Sequence, residues 1–298
     1  MRKRNSKKER LFRLYSTNLS KNTNLEEGWF LCPLCHKGFT WEMRGLLTIE
    51  HVVPKSLGGR IETLTCKECN NQQGEDLLSK LKQNILMEDK FQNQKPFDAK
   101  MTVNGKEISV GYRIGEKHEL ITQAKRSNPR DVAFIEDVFK SGLLPEIGLK
   151  FSYGYKKEIE QMAILLICYL MLFRFFGYSY AFSPWGIYTR NVIVSKKYDS
   201  PLLKMTATTN EVVMDGKNAL FICRQPKEFE NYAGIQLRLK VEGFEKTLTK
   251  LLPFLPGTYF NKEVHLKGGE LEIRGNSISY SPALLTDPAF KVPHNIRV

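Results

Sequence analysis

Long apolar runs are missing from this sequence of 298 residues. The apolar run at residues 162–173 has twelve members and is closed by Arg174, whereas a helix that crosses a bilayer needs about twenty. We therefore interpret residues 156–176 as a buried core helix and expect no membrane partner. The N-terminal basic residues are followed by no apolar stretch, so we expect no secretory signal there.

Cysteine is scarce, with six residues in the whole chain. Four of them nevertheless form two Cys-x-x-Cys pairs, Cys32 with Cys35 and Cys66 with Cys69. Two such pairs can supply four thiolates to one tetrahedral zinc ion. Because four thiolates fill the coordination shell, this zinc is expected to be structural and not to activate water. Reduced cysteines of this kind favour a cytoplasmic location.

Acidic residues are too few to balance the basic ones: 32 Asp and Glu stand against 45 Lys and Arg, for a net charge of +13. This excess favours a polyanionic partner. Much of it lies in the first thirteen residues, which begin with Arg2, Lys3 and Arg4. We interpret residues 1–27 as a basic arm and linker. The arm is either a phosphate-binding extension, disordered or partly helical, or a solvated terminus.

The residues between the two cysteine pairs predict a small hairpin. Residues 48–53 have the β-branched character of a strand, which ends at Pro54. A loop with Gly58 and Gly59 leads to a second short strand at residues 61–65. Apolar residues then recur at helical spacing from about Asn70. One zinc ion shared by both pairs would fold this hairpin over the start of the helix.

The segment EHVVPKSLGG at residues 50–59, followed by TCKECNN at residues 65–71, resembles the HNH endonucleases, also called ββα-metal or His-Me finger nucleases. It is most similar to the branch with a Glu-His-x-x-Pro loop and four zinc-binding cysteines. The resemblance implies a metal-dependent phosphodiesterase. In it, His51 would be the general base that deprotonates water, and Glu50 and Asn70 would hold Mg²⁺ or Mn²⁺.

One departure from the family concerns the group that orients the imidazole. The family often has a middle asparagine before the second cysteine pair, and residues 60–63 contain none. Either Thr63, Asn71 or a backbone carbonyl then orients His51, or activity is reduced.

The chemistry of these residue types agrees with the roles that the resemblance implies. A neutral imidazole, with an ordinary pKa near 6.5, is a competent base at neutral pH. Hard cations prefer carboxylate and amide oxygens, which Glu50 and Asn70 offer. The alternatives are a strand-end His51 bonded to backbone, a solvated Glu50, and Asn70 as a helix N-cap. Lys55, Arg60 and Lys67 are expected to touch phosphate near the site, or else to be solvated.

The predicted fold class is α+β: a small zinc-stabilised ββα-metal nuclease module followed by a larger mixed domain with a buried apolar helix and antiparallel hairpins. The predicted domains are 1–27 (arm and linker), 28–95 (HNH nuclease module) and 96–298 (target binding, sensing or assembly). The strand candidates beyond residue 183 are 191–195, 211–214, 219–223, 236–241, 264–266 and 271–274. That region has no P-loop or dinucleotide-binding glycine pattern.

The function expected from these features is a metal-dependent endonuclease that hydrolyses nucleic acid, with DNA as the first candidate. A possible homodimer would form through the C-terminal domain. One alternative is a zinc-stabilised nucleic-acid-binding protein that has lost catalysis. Another is a ligand-gated effector in which the C-terminal domain holds the nuclease in check.

Overall fold

The computed structural model describes residues 2–115, 120–125, 128–142, 146–151, 156–204, 206–207, 218–225, 232–254 and 274–277. This part of the chain is an α+β protein whose strand pairs are antiparallel. The chain divides into two units, one formed by residues 1–82 and 157–298 and the other by residues 83–156. The predicted boundary near residue 95 therefore falls inside the second unit.

The N-terminal elements are helix α1 (Arg2–Asn22), strands β1 (Phe30–Leu31), β2 (Gly38–Phe39), β3 (Leu47–His51) and β4 (Glu62–Cys66), and helices α2 (Lys67–Gln73) and α3 (Ser79–Gln92). Short 3₁₀ turns cover Glu42–Leu46 and Lys55–Leu57, and a π-helical turn at Gly74–Leu78 joins α2 to α3. The middle elements are β5 (Phe97–Val103), β6 (Lys106–Ile114), β7 (Leu120–Ala124), α4 (Pro129–Lys140) and β8 (Ile147–Phe151). The C-terminal elements are α5 (Lys157–Phe176), α6 (Tyr178–Ala181), α7 (Pro184–Val194), α8 (Pro201–Lys204), β9 (Thr206–Ala207), β10 (Ala219–Gln225), β11 (Tyr232–Val241), β12 (Phe244–Pro253) and β13 (Arg274–Ser277).

The predicted order of cysteine pair, strand, loop, strand, cysteine pair and helix is confirmed. Strand β3 pairs with β4 so that Leu47 lies opposite Cys66 and His51 lies opposite Glu62. Helix α2 begins at Lys67, directly after β4 ends. It starts earlier than the apolar spacing indicated because the sulfur of Cys66 caps it, accepting a hydrogen bond from the Cys69 N–H.

Helix α1 is a packed part of the first unit. Its residues Leu11, Phe12, Tyr15 and Leu19 are all buried, and their helical spacing gives the helix an apolar face. The Tyr15 ring stacks on Phe173 of α5 with centroids 4.7 Å apart. The residues interpreted from their charge as an arm and linker therefore belong mostly to a helix anchored in the core.

Helix α5 is the predicted core helix, and it lies in the same unit as the β3–β4 hairpin. It is long and apolar enough to cross a membrane, with a mean hydropathy of 1.8, but 83% of its apolar window is buried inside the protein. The Tyr169 hydroxyl donates a hydrogen bond to the Pro33 carbonyl (2.7 Å). Helix α5 thus packs directly against the first cysteine pair instead of forming the centre of a separate domain.

Two further side chains hold the segment around the first cysteine pair. The Tyr178 hydroxyl accepts a hydrogen bond from the Leu31 N–H (2.9 Å) and donates one to the Leu31 carbonyl (2.6 Å). Arg190 of α7 donates from Nε to the Leu34 carbonyl (2.6 Å). The prediction of a strand at residues 191–195 is wrong, because α7 continues to Val194. Its start is fixed by the Ser183 cap and by Pro184 in the first turn.

The second unit, residues 83–156, contains a four-stranded sheet in the order β7-β6-β5-β8. Strand β5 alternates buried and more exposed residues, as expected for a sheet with one covered face. The predicted hairpin between β5 and β6 is confirmed, with Asn104 and Gly105 at φ angles of 45° and 81° in its turn. Helix α4 begins after Asn128, whose side chain accepts from the Arg130 N–H.

The C-terminal strands form a sheet in the order β13-β10-β11-β12-β9. The predicted strands at 219–223 and 236–241 are found as parts of β10 and β11. The candidates at 211–214 and 264–266 lie outside the described residues, and of 271–274 only Arg274 is described. Lys250 of β12 is fully buried, and its ammonium donates to the carbonyls of Leu202 and Leu203.

The Tyr178 hydroxyl provides a first test of how the cysteine segment is anchored. We expect Tyr178→Phe to lower the free energy of unfolding by about 1–3 kcal/mol, because the buried polar groups of Leu31 lose a partner. Urea unfolding of the zinc-loaded chain measures this loss. Tyr198→Phe is the matched control, since Tyr198 is 38% exposed. Equal losses in the two variants would show that the buried hydroxyl contributes nothing specific.

Lys250 provides a test by pH. Burial lowers the pKa of Lys250 from 10.5 to about 7. The unfolded chain therefore keeps this proton above pH 7, where the folded chain has lost it, so stability should rise with pH from about 7 towards 10.5. We expect the parent to gain up to about 1.4 kcal/mol per pH unit relative to Lys250→Met. Urea unfolding of both proteins from pH 6.5 to 9.5 measures the difference; a constant difference contradicts the assignment.

Candidate metal and catalytic centre

The four paired cysteines meet at one point. Their sulfur atoms all lie within 4.8 Å of one another, and the Sγ atoms of Cys35 and Cys66 are 3.8 Å apart. Four sulfurs at 2.3 Å from a tetrahedral zinc ion would be separated from one another by about 3.8 Å. The donor set and its spacing therefore fit the structural zinc that the sequence predicted.

The local backbone explains why each pair presents two sulfurs to the same point. After the first pair the chain turns sharply, with His36 at a φ angle of 56°, and the Cys32 N–H donates to the Lys37 carbonyl (3.0 Å). At the second pair, Cys66 is the N-cap of α2 and Cys69 lies in its first turn. The Cys66 N–H also points at the Cys32 sulfur, at 3.5 Å. Such contacts stabilise thiolates.

The thiols perturb one another strongly because they are so close. The Cys32 thiol and the two other thiols lower the pKa of Cys35, the Cys35 and Cys66 thiols raise the pKa of Cys32, and the three neighbouring thiols raise the pKa of Cys69. Four thiolates at these distances would repel one another without a cation between them. A divalent ion that prefers sulfur ligands satisfies all four at once.

His51 is the last residue of β3, and Glu62 is its partner on β4. The Nε2 atom of His51 lies 3.5 Å from Oε1 of Glu62. The other carboxylate oxygen of Glu62 forms an ion pair with Lys7 of α1. The imidazole is 31% exposed, so solvent or a substrate can reach it.

Glu62 is the residue near His51 that the sequence interpretation missed. Of the groups considered for orienting the imidazole, the Thr63 hydroxyl instead binds the Tyr15 hydroxyl at 2.7 Å, and Asn71 is exposed to solvent. Strand pairing could have identified Glu62, because it is the residue across the hairpin from His51. The sequence does not specify that register.

Glu50 precedes His51 and lies opposite Thr63 in the hairpin. Neighbouring residues of a strand point to opposite faces, so Glu50 shares a face with Thr63, whereas His51 shares one with Glu62. Burial raises the pKa of Glu50 to about 7. A carboxylate whose charge is disfavoured in this way would be stabilised by a bound cation.

Asn70 lies in α2, which follows β4 directly and contacts both strands of the hairpin. The alternative reading of Asn70 as the helix N-cap is wrong, because Cys66 occupies that position. The amide is half-buried and forms no hydrogen bond within the described part of the chain. Its oxygen is thus available to another ligand.

The loop after His51 requires its two glycines. A Cβ on Gly59 would lie 1.7 Å from the Val53 carbonyl oxygen, and Gly58 has a φ angle of 83°. The Gly59 N–H donates to the Pro54 carbonyl (3.1 Å), which closes the turn. Gly58 also lies against the side chain of Lys240 on β11. The C-terminal sheet therefore borders the loop that follows the histidine.

The basic residues expected to touch phosphate lie in different places. Lys55 and Arg60 are exposed in the loop that follows His51. Lys67 is exposed at the opposite end of the hairpin, beside a cavity of about 510 Å³ that Cys66 and Glu68 also line. The side chains of Arg2, Lys3 and Arg4 lie outside the described part of the structure. Lys55 and Arg60 are thus the pair closest in sequence to the histidine.

Comparison with known proteins agrees with the geometry. Residues 32–86 match the family model of the HNH endonucleases. This range contains both cysteine pairs, the β3–β4 hairpin and helix α2, so the resemblance read from the sequence is confirmed for this stretch. A search of curated proteins and a search of solved structures found no match.

Zinc content and folding should be linked at the cysteine cluster. We expect Cys66→Ser to lose bound zinc and to unfold the hairpin, because metal binding supplies folding free energy in such sites. Metal analysis and circular dichroism on the purified chain measure both. The matched control is Cys168→Ala, since Cys168 is a buried thiol of α5 outside the cluster. A Cys66→Ser protein that kept one zinc per chain would contradict this assignment.

Proposed function

We propose that residues 32–86 form the catalytic module of an endonuclease that hydrolyses phosphodiester bonds of nucleic acid, with DNA as the first candidate. The observation that carries the proposal is the coincidence of two findings. The family match covers the same residues in which a four-sulfur cluster fixes a hairpin with a solvent-accessible histidine at the end of a strand.

His51 is the proposed general base. Its imidazole is accessible, and a neutral histidine can take a proton from water near pH 7. The hydroxide that this generates attacks the phosphorus of the scissile phosphodiester, the P–O bond to one sugar oxygen breaks, and the departing sugar oxygen takes up a proton from water. The loop with Gly58 and Gly59 and the cysteine cluster hold the end of β3 in one conformation before the reaction begins.

Glu50 and Asn70 are the proposed ligands of a catalytic Mg²⁺ or Mn²⁺. Both offer oxygen atoms, which these hard cations prefer. A bound cation would supply charge neutralisation at the phosphate. The raised pKa of Glu50 supports this role, because a cation beside the carboxylate offsets the unfavourable burial of its charge. The softer zinc ion remains with the cysteines.

The basic residues support a nucleic-acid substrate. Lys55 and Arg60 are exposed near His51, and helix α1 adds the exposed side chains of Lys7, Arg10 and Arg13. We propose that Lys55, Arg60 and Lys67, with Arg2, Lys3 and Arg4, contact phosphates. A cytoplasmic location and a homodimer formed through the C-terminal region remain predictions from the sequence.

A second candidate function is nucleic-acid binding without cleavage. The observation that favours it is the lack of an asparagine at residues 60–63. Such a protein would bind nucleic acid under Mg²⁺ or Mn²⁺ and leave it intact. Gel-shift and cleavage assays on the same samples separate the two functions.

The catalytic proposal makes a direct prediction for His51. We expect His51→Ala to lower the cleavage rate by at least about 10²–10⁴-fold, the usual contribution of a general base, with zinc content and folding unchanged. Supercoiled, linear and single-stranded DNA and RNA, each with a series of divalent metals, are the substrates. Asn70→Ala should also lose metal-dependent cleavage, whereas Asn71→Ala, altered at its exposed neighbour, should keep it. Parent-like cleavage by His51→Ala would overturn the proposal.

A further inference from the structure

We propose that Glu62 is the residue that positions His51, and that Lys7 of helix α1 holds Glu62 in place for this task. The inference rests on the proposed nuclease function and extends it. It assigns an orienting group where residues 60–63 offer no asparagine, and it makes the N-terminal helix part of the catalytic apparatus.

The contact between Glu62 and His51 is fixed by the hairpin. The two residues are the last pair of the β3–β4 ladder, so their side chains emerge side by side from one face. The separation of 3.5 Å between Oε1 and Nε2 is long for a hydrogen bond. Catalytic hydrogen bonds often tighten only when substrate binds. Glu62 is 17% exposed, so its carboxylate is more shielded from water than the imidazole.

A carboxylate at Nε2 has a specific chemical consequence. An ionised carboxylate only accepts hydrogen bonds, so it selects the imidazole form that carries its proton on Nε2. Nδ1 then has a free lone pair and can take the proton from the attacking water. The imidazolium formed in that step is stabilised by the negative charge of Glu62. The same carboxylate thus orients the base before the proton transfer and stabilises it afterwards.

The positive charge of Lys7 offsets an electrostatic repulsion that the Glu62 carboxylate would otherwise cause. A carboxylate beside the reacting phosphate would repel it, and the ammonium of Lys7 on the other oxygen offsets that charge. The helix that carries Lys7 is held on the hairpin independently of this ion pair. Tyr15 binds Thr63, and the Lys8 ammonium donates to the Leu47 carbonyl (2.8 Å). The packing of helix α1 on the hairpin therefore holds Lys7 beside Glu62.

The ion pair itself adds little to stability. The side chain of Lys7 is 44% exposed, and exposed ion pairs are worth about 0–1 kcal/mol. Loss of Glu62 or Lys7 should consequently affect catalysis far more than folding. A large loss of activity with little loss of stability distinguishes a positioning role from a merely structural one.

The test uses the full-length, zinc-loaded chain and the DNA substrate that the parent cleaves. We expect Glu62→Ala to lower kcat by about 10–100-fold, the range for carboxylates that orient functional histidines in metal sites, with KM changed less than about twofold. Glu62→Gln, which keeps an acceptor, should retain more activity. Lys7→Ala should lower kcat more than Lys21→Ala, a matched exposed lysine on the same helix. Glu75→Ala is the control for loss of an exposed carboxylate.

A spectroscopic measurement checks the mechanism directly. The ¹⁵N chemical shifts of His51 at a fixed pH of about 8, where an ordinary imidazole is neutral, should report the Nε2-protonated form in the parent and a mixture in Glu62→Ala. Parent-like kcat in Glu62→Ala, or an unchanged ¹⁵N pattern, overturns the inference. Recovery of kcat in Glu62→Ala at a high Mg²⁺ concentration also overturns the inference, because Glu62 would then be a metal ligand. If the parent cleaves no substrate, the proposed function fails, whereas the ¹⁵N comparison still tests the contact.

Discussion

The convergence of four cysteine sulfurs within 4.8 Å is the constraint on which the remaining structure depends. It ties together two chain segments that are 31 residues apart at Cys35 and Cys66. The strands it joins are short: β1 and β2 have two residues each, and β3 and β4 have five. Hairpins of this size are marginal in water on their own. A metal ion bound by the four sulfurs would therefore add a cross-link at the site where chemistry is proposed.

The rest of the support comes from segments distant in sequence. Tyr15 reaches the hairpin from the N-terminal side, and Tyr169, Tyr178 and Arg190 reach the first cysteine pair from the C-terminal side. Residues 83–156 interrupt the chain between these halves and form a unit with its own core. An isolated N-terminal fragment would therefore leave the buried backbone groups of Leu31, Pro33 and Leu34 without their partners. The activity of such a fragment would therefore reflect its folding as well as any release from the C-terminal domain, and it would not by itself test the ligand-gated alternative.

Local sequence patterns predicted those elements that depend mainly on interactions between residues close together in the sequence. The cysteine spacing, the β-branched run before Pro54, the Asn104-Gly105 turn and the apolar run of α5 each determine their own element. Helix α1 was obscured because its charge is more prominent than the helical spacing of Leu11, Tyr15 and Leu19. Only the last residues of α7 resemble a strand in sequence. The Ser183 cap lies further upstream and starts a helix that continues through them. Glu62 could not be found by motif, because its role follows from the register of a ladder and from an ion pair with a helix 55 positions earlier.

The charge distribution gives helix α1 a second significance. Residues 32–86 carry seven basic and six acidic side chains, so the proposed catalytic module has almost no net charge of its own with which to attract a polyanion. Helix α1 carries eight basic residues and one acidic residue, and Lys7 brings one of these charges to Glu62 at the histidine. Binding of nucleic acid by phosphate contacts weakens with salt in proportion to the number of cations involved. A helix that both collects phosphate and fixes the orienting carboxylate would couple substrate affinity to the geometry of the base. If separate parts of the protein carried out binding and catalysis, helix α1 would not need to be held in place by the packing of Tyr15 against Thr63 and Phe173.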